Sequence, residues 1–309
     1  MGSILERDLV YVTGKGGVGR STVCGALGLA GAALGRRTIV CEVAEQDRLS
    51  RAFGRPPRLG DEEGRLADGV WGVSIDPQAA LRTWLSNQLG SRTLSRLLFE
   101  SDAFSYFAAA APGAREIATL GRAGALAEGD AYDLVILDAP ASGHGLAMLR
   151  TPSTFAEIAR VGPIRRQAQA LHRLLADRDR CACVAVALAE EMPVNETLEL
   201  ERALPGILGG GLEAIVVNGV YPQRFDEAEV ERAATAADRD GNGATRRALA
   251  AVAAEYRWAE GQRAQLDRLV DQARAPVMTL PFLFEDELRT AQLELLSREL
   301  ARQLEATPA

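Results

Sequence analysis

Lysine is almost missing from this 309-residue chain: of its 35 Lys+Arg residues, 34 are arginine, and the exception is Lys15. The two cations differ physically. Arginine presents a planar five-donor fork, whereas lysine carries a compact charge on a flexible stem. A chain that otherwise always uses the fork therefore needs the compact charge at position 15. Cysteine is scarce as well. Cys24, Cys41, Cys181 and Cys183 all lie on apolar stretches, which reads as reduced, buried thiols rather than disulfides. Cys181 and Cys183 have strand spacing, which puts both on one face. No Cys-x-x-Cys pair exists, so zinc is not expected.

Other absences narrow the function classes. No apolar run approaches the ~20 residues of a membrane helix. The longest, residues 23–34, is rich in Gly and Ala and reads as a buried helix. Residues 1–8 are polar and charged, unlike a secretory leader. The expectation is a cytoplasmic protein with no membrane span of its own. The net charge of −7 leaves no broad basic field, which argues against nucleic acid as a partner.

What is present is an alternation of short apolar runs and helical stretches. The runs at residues 9–13, 38–43, 70–75, 134–138, 183–188, 214–218 and 277–280 read as buried parallel strands. Their alternation with helices predicts an α/β fold with a doubly wound, mostly parallel sheet. Residues 77–128 break the rhythm and read as a helical insertion within a single domain spanning 1–309. A second helical region is expected at about 226–274, with a loop at 238–243. The phosphate-type loop occurs once, so the chain is not a tandem duplicate.

That loop is Gly14-Lys15-Gly16-Gly17-Val18-Gly19-Arg20-Ser21-Thr22, placed between a strand and a helix. Backbone N–H groups of such a loop form an anion nest, aided by the positive end of the helix. Ser21 would supply a hydroxyl to Mg²⁺. The usual P-loop lysine position, however, holds Arg20. The same residues also satisfy G-x-G-x-x-G through Gly14, Gly16 and Gly19, with Glu42 ending the second strand where a ribose-binding acid belongs. A dinucleotide oxidoreductase is thus a competing reading. Lys15 and the following Arg20-Ser21-Thr22 suit a triphosphate and a metal ion better. A second motif supports them: the apolar strand at 134–138 ends in Asp138, which can hold a Mg²⁺ shell. A small, mobile loop, Ala139-Pro140-Ala141-Ser142-Gly143-His144-Gly145, follows it. Together these predict a P-loop NTPase that uses ATP and Mg²⁺, with Ser21 and Asp138 on the metal.

At this point the chain resembles the ArsA-like and tail-anchored-protein-targeting ATPases, of the deviant Walker A class that includes ParA and MinD. Gly14 to Thr22 looks like their signature loop, and Asp138 to Gly145 like their switch II, in which His144 follows the family pattern. Asn195-Glu196-Thr197 is similar to their Tyr-Glu-Thr. Ile215-Val216-Val217-Asn218 is similar to Val-Val-Asn-Gln, whose Asn reads adenine, and the segment carrying Pro281 and Phe282 to the adenine-side loop. Within that group the match is closest to actinobacterial anion-transporting ATPase-like subunits. The resemblance implies a dimer in which Lys15 reaches the partner's nucleotide.

Two departures from the family pattern bear on hydrolysis. Arg20 replaces the P-loop lysine, and Ala44 stands where the water-activating Asp belongs. Glu42, Glu45 or Asp47 could substitute, though none is in register; Glu42 and Glu45 join Lys15, Arg20 and Asp138 as catalytic candidates, with a solvated loop the plain alternative for these acids. The expected function is an ATP-hydrolysing switch with weak intrinsic activity, as a homodimer or as the hydrolysis-poor half of a heterodimer with a related subunit. The insertion has no cysteine for arsenite and no methionine-rich groove for a tail anchor. Its Phe99, Phe104, Tyr106 and Phe107 are the expected surface for a protein or membrane-protein partner. His172 is expected on a helix surface.

Overall fold

A computed structural model describes residues 3–43, 47–56, 62–89, 113–159, 161–239 and 243–306. Its strands are β1 (Leu9–Gly14), β2 (Thr38–Val43), β3 (Gly64–Ala67), β4 (Val70–Ile75), β5 (Leu134–Asp138), β6 (Cys181–Ala187), β7 (Ala214–Val220) and β8 (Val277–Pro281). They form one eight-stranded sheet in the order β3-β4-β2-β5-β1-β6-β7-β8. Every pairing is parallel except β3 with β4. The helices are α1 (Arg20–Ala33), α2 (Arg48–Ala52), α3 (Pro77–Leu89), α4 (Ala114–Glu128), α5 (Ser142–Ile158), α6 (Pro163–Ala176), α7 (Glu191–Ala203), α8 (Pro205–Leu208), α9 (Glu227–Arg239), α10 (Gly243–Gln272) and α11 (Thr290–Ala306).

Continuous rather than alternating apolar strands follow from covering both faces of the sheet. One face packs Val10, Val12, Val40, Ile136 and Val184 against α1 and α11 through Val23, Leu27, Leu293 and Leu296. The other packs Tyr11, Ile39, Leu137 and Cys183 against α3 to α7 through Leu81, Ile117, Leu149, Leu171 and Leu198. Burial of each such side chain is worth about 1.5–3 kcal/mol. All four cysteines are free and buried, and Cys181 and Cys183 share one core layer as their spacing requires.

Strand β3 escapes the sequence reading because it is a four-residue antiparallel edge with only Leu66 fully buried. The strand expected at 183–188 starts two residues earlier, at Cys181. Of the expected insertion, α3 and α4 are its described ends. Residues 90–112, with Phe99, Phe104, Tyr106 and Phe107, lie outside the described residues. His172 departs from its expected surface position: it is half-buried on α6, with Nδ1 buried and lacking a hydrogen-bond partner. Among the described residues no helix is long and apolar enough to cross a membrane.

Candidate functional site

The C-terminal ends of the parallel strands, where such sheets bind ligands, bring most of the expected residues together. The loop from Gly14 turns out of β1 into α1. Gly14 has φ 152° and lies so close to the Val186 carbonyl that a Cβ would collide with it. Gly19 has φ 85° and presses on the Asn218 amide in the same way. No side chain larger than hydrogen fits either position without displacing backbone or loop. Gly19 also opens α1 without a side-chain cap. The first N–H groups of α1 are thus left for an anion.

A cavity of about 210 Å³ lies over these groups, lined by Gly17, Gly19, Arg20, Ser21, Thr22, Arg48 and Leu49. At its base Ser21 Oγ donates to Asp138 Oδ2 at 2.5 Å. The other carboxylate oxygen, Oδ1, is buried with no partner. Burial pushes the Asp138 pKa up, and the Ser21 hydrogen bond and the charges of Arg20 and Arg48 oppose that only in part. A buried, half-satisfied carboxylate beside a hydroxyl is a donor set that suits a hard cation, so the residues present fit Mg²⁺.

Arg20, at the P-loop lysine position, lines the cradle and is also tied to the chain. Its Nη1 donates to the Ala139 carbonyl, at the start of the loop after β5. Lys15 is also engaged within the chain. Its Nζ lies 2.7 Å from Glu196 Oε1 on α7, and Glu196 Oε2 accepts from Ser142 Oγ at 2.9 Å, at the first residue of α5. The Lys15 ammonium holds the Glu196 carboxyl below its ordinary range. One carboxylate therefore ties the signature loop to the helix that follows Asp138. Nothing in the sequence but the Asn195-Glu196-Thr197 resemblance marked Glu196.

Glu42 is the penultimate residue of β2, with 4% of its surface exposed. Its Oε1 accepts from the N–H groups of Arg48 at 3.1 Å and Leu49 at 3.3 Å, so it anchors the start of α2. Burial raises its pKa to about 7, the nearby Asp138 charge adds to the rise, and the two N–H bonds resist it. Ala44 and Glu45 lie outside the described residues. Arg48, which the motif reading passed over, borders the cradle and is detectable in sequence only as a cation three residues after Glu45.

Beyond Thr22, which borders both spaces, a second cavity of about 360 Å³ is lined by Asn218, Tyr221, Trp258, Gln262, Pro281 and Phe282. Tyr221 stacks on Phe282 with ring centroids 4.3 Å apart and meets Trp258 and Phe284 edge-on. Asn218 was expected to read a base. It lines this cavity, and its Nδ2 donates to the Val18 carbonyl at 3.0 Å, fastening the phosphate loop to β7. Tyr221, Trp258 and Gln262 lay outside every motif.

The dinucleotide reading fails on topology. In that fold the first strand neighbours the second, whose terminal acid then reaches the ribose. Here β5 separates β1 from β2, so Asp138 occupies the adjacent place, and Glu42 is committed to α2.

Comparison with known proteins agrees. The family model for anion-transporting ATPases, ArsA_ATPase, matches residues 7–173. The chain is 28% identical over 237 residues to ATPase BagA of Mycobacterium tuberculosis, covering 73% of this chain and 69% of that one. It is 28% identical over 265 residues to ATPase GET3 of Kluyveromyces lactis, covering 71% and 74%. A protein described as an arsenical pump-driving ATPase in Halobacterium salinarum is 24% identical over 241 residues, covering 72% of this chain but 37% of its own length. The family model spans more than half of the chain, and the chain is a member of the ArsA family of anion-transporting ATPases.

Proposed function

We propose that the chain binds MgATP across the two cavities and hydrolyses it slowly, as a dimeric switch. The observation that carries this reading is the Ser21–Asp138 pair, with an orphaned buried carboxylate oxygen at the base of a cradle of uncapped N–H groups. In it Gly14 to Thr22 hold the phosphates, Ser21 and Asp138 hold Mg²⁺, and Pro281, Phe282 and Tyr221 flank the base. Bound Mg²⁺ would neutralise phosphate charge as it does in other P-loop enzymes. Asn218 keeps the phosphate loop in place through Val18 and has its amide oxygen left to read the base edge.

Slow hydrolysis follows from two placements. Arg20, in place of the P-loop lysine, gives its Nη1 to the Ala139 carbonyl. Glu42, the described acid able to take a proton near neutrality, is tied to α2. A partner subunit carrying a complete water-activating loop would complement both, which is the reading of this chain as half of a heterodimer. In either dimer Lys15 must leave Glu196 before it can reach a partner's phosphates. Exchanging the Glu196 carboxylate for phosphate would leave Glu196 held by Ser142 alone, so nucleotide would bias the contact between the signature loop and α5.

Calorimetry of MgATP binding tests the reading. Ser21→Ala should weaken the Mg²⁺-dependent part of the affinity by about tenfold and Asp138→Ala by more, as expected for hydrogen bonds to charged groups. Unchanged affinity in both variants would remove the assignment.

A further inference from the structure

The chain from Asn218 to Tyr221 forms one side of the aromatic cavity, and it leaves the sheet there. The β7–β8 register shifts between Val217 and Val220, and Gly219 turns at φ 68°. A strand that departs from its ladder leaves peptide groups in need of partners. The Val220 carbonyl accepts from the Phe282 N–H at 2.9 Å. Two further groups go to a single side chain: the Tyr221 N–H donates to Gln262 Oε1 at 2.8 Å, and Gln262 Nε2 donates to the Gly219 carbonyl at 3.4 Å.

Gln262 sits on the 30-residue helix α10, whose described fully buried residues are Ala259, Gln262 and Leu269. A glutamine among two apolar residues would lose free energy on burial unless both ends of its amide were paired. Both are, because a primary amide offers an acceptor and a donor in one plane. Trp258, four residues earlier and hence on the same helix face, lines the same cavity and meets the Tyr221 ring at 6.3 Å. Helix α10 thus contributes both a wall of the cavity and the clamp on its backbone.

We propose that Gln262 is a positioning residue for the nucleotide base: by holding Gly219 and Tyr221 it sets the Tyr221–Phe282 stack against which a planar purine packs. The inference rests on the nucleotide reading above but concerns the base end alone. It is tested by titrating wild type, Gln262→Leu and Phe282→Ala with MgATP and with magnesium tripolyphosphate, which carries the phosphates without the base. Leucine keeps the bulk and the helix preference while orphaning both backbone groups. Gln262→Leu should weaken MgATP by about tenfold and leave tripolyphosphate within about twofold. Phe282→Ala removes a partly exposed ring and should give the same split.

Equal weakening of both ligands in Gln262→Leu would indicate general loosening and overturn the inference, as would unchanged MgATP affinity. Should that variant fail to fold, Gln262→Asn keeps an uncharged amide but draws it one methylene back from Gly219 and Tyr221, and it carries the same two outcomes. A wild-type chain that binds tripolyphosphate as tightly as MgATP has no base site, which removes the inference and leaves the phosphate site standing. A wild-type chain that binds neither removes the nucleotide reading, and the inference with it.

Discussion

At the phosphate end of the site, nine contiguous residues from Gly14 to Thr22 build the cradle, and the buried acids Asp138 and Glu42 lie beneath it. At the base end the wall is aromatic and comes from three separate elements: the end of β7, helix α10 and the exit of β8. The first is stiff because its glycines abut Val186 and Asn218. The second is shaped indirectly, through backbone groups held by Gln262. Asn218, donating to Val18, is the described hydrogen bond that joins them. On the proposed function, charge recognition rests on local backbone, whereas base recognition depends on tertiary packing and should be the easier of the two to alter separately.

The largest effect expected at the phosphate end is on stability. The Glu42 pKa is raised from 4.5 to about 7 by burial, so the folded state binds a proton more tightly than the unfolded one. The contribution of Glu42 to stability is therefore fully present below about pH 4.5, is lost as pH rises to about 7, and stays lost above it. Glu42→Gln keeps an acceptor oxygen for Arg48 and Leu49 and removes the charge. In denaturant melts with EDTA, the variant should gain on wild type by up to about 3 kcal/mol near pH 8, from 1.36 kcal/mol per unit, and by little near pH 4.5. A difference independent of pH would show that Glu42 carries no buried charge. A smaller effect is expected from Arg20→Lys. An ammonium on a shorter stem frees the Ala139 carbonyl and can enter the cradle. Single-turnover hydrolysis should then rise by about tenfold with MgATP affinity little changed, and no rise would assign the slow rate to the α2 side of the site instead.

The same contrast explains what the sequence made legible. The strands carrying the phosphate end were readable because burial on both faces writes them as unbroken apolar runs, as in residues 134–138. The lone Lys15 and the Gly spacing marked the loop, since only glycine fits at Gly14 and Gly19. Edge strand β3 was not readable, because its antiparallel position leaves Arg65 exposed and removes the apolar run. Asn218 was found for its motif, but the motif could not show that its Nδ2 holds the Val18 carbonyl. Tyr221, Trp258 and Gln262 carry no spacing signal. They meet only when a 30-residue helix folds back on β7, and a buried glutamine in a helix looks like a surface residue until its neighbours are known. Lys15 illustrates both sides: its isolation in composition announced a role, while its pairing with Glu196, 181 positions away, belongs to the fold.

The central claim is that one chain holds a phosphate-and-metal end and a base end as a single MgATP site. Calorimetry of the wild-type chain with ATP in Mg²⁺, ATP in EDTA, and NAD⁺ in Mg²⁺ tests it most directly. The account predicts binding of ATP that weakens by about tenfold or more when Mg²⁺ is removed, the loss expected when Ser21 and Asp138 no longer share a cation with the phosphates, and no measurable binding of NAD⁺. ATP binding that ignores Mg²⁺, or NAD⁺ binding of comparable strength, would contradict it.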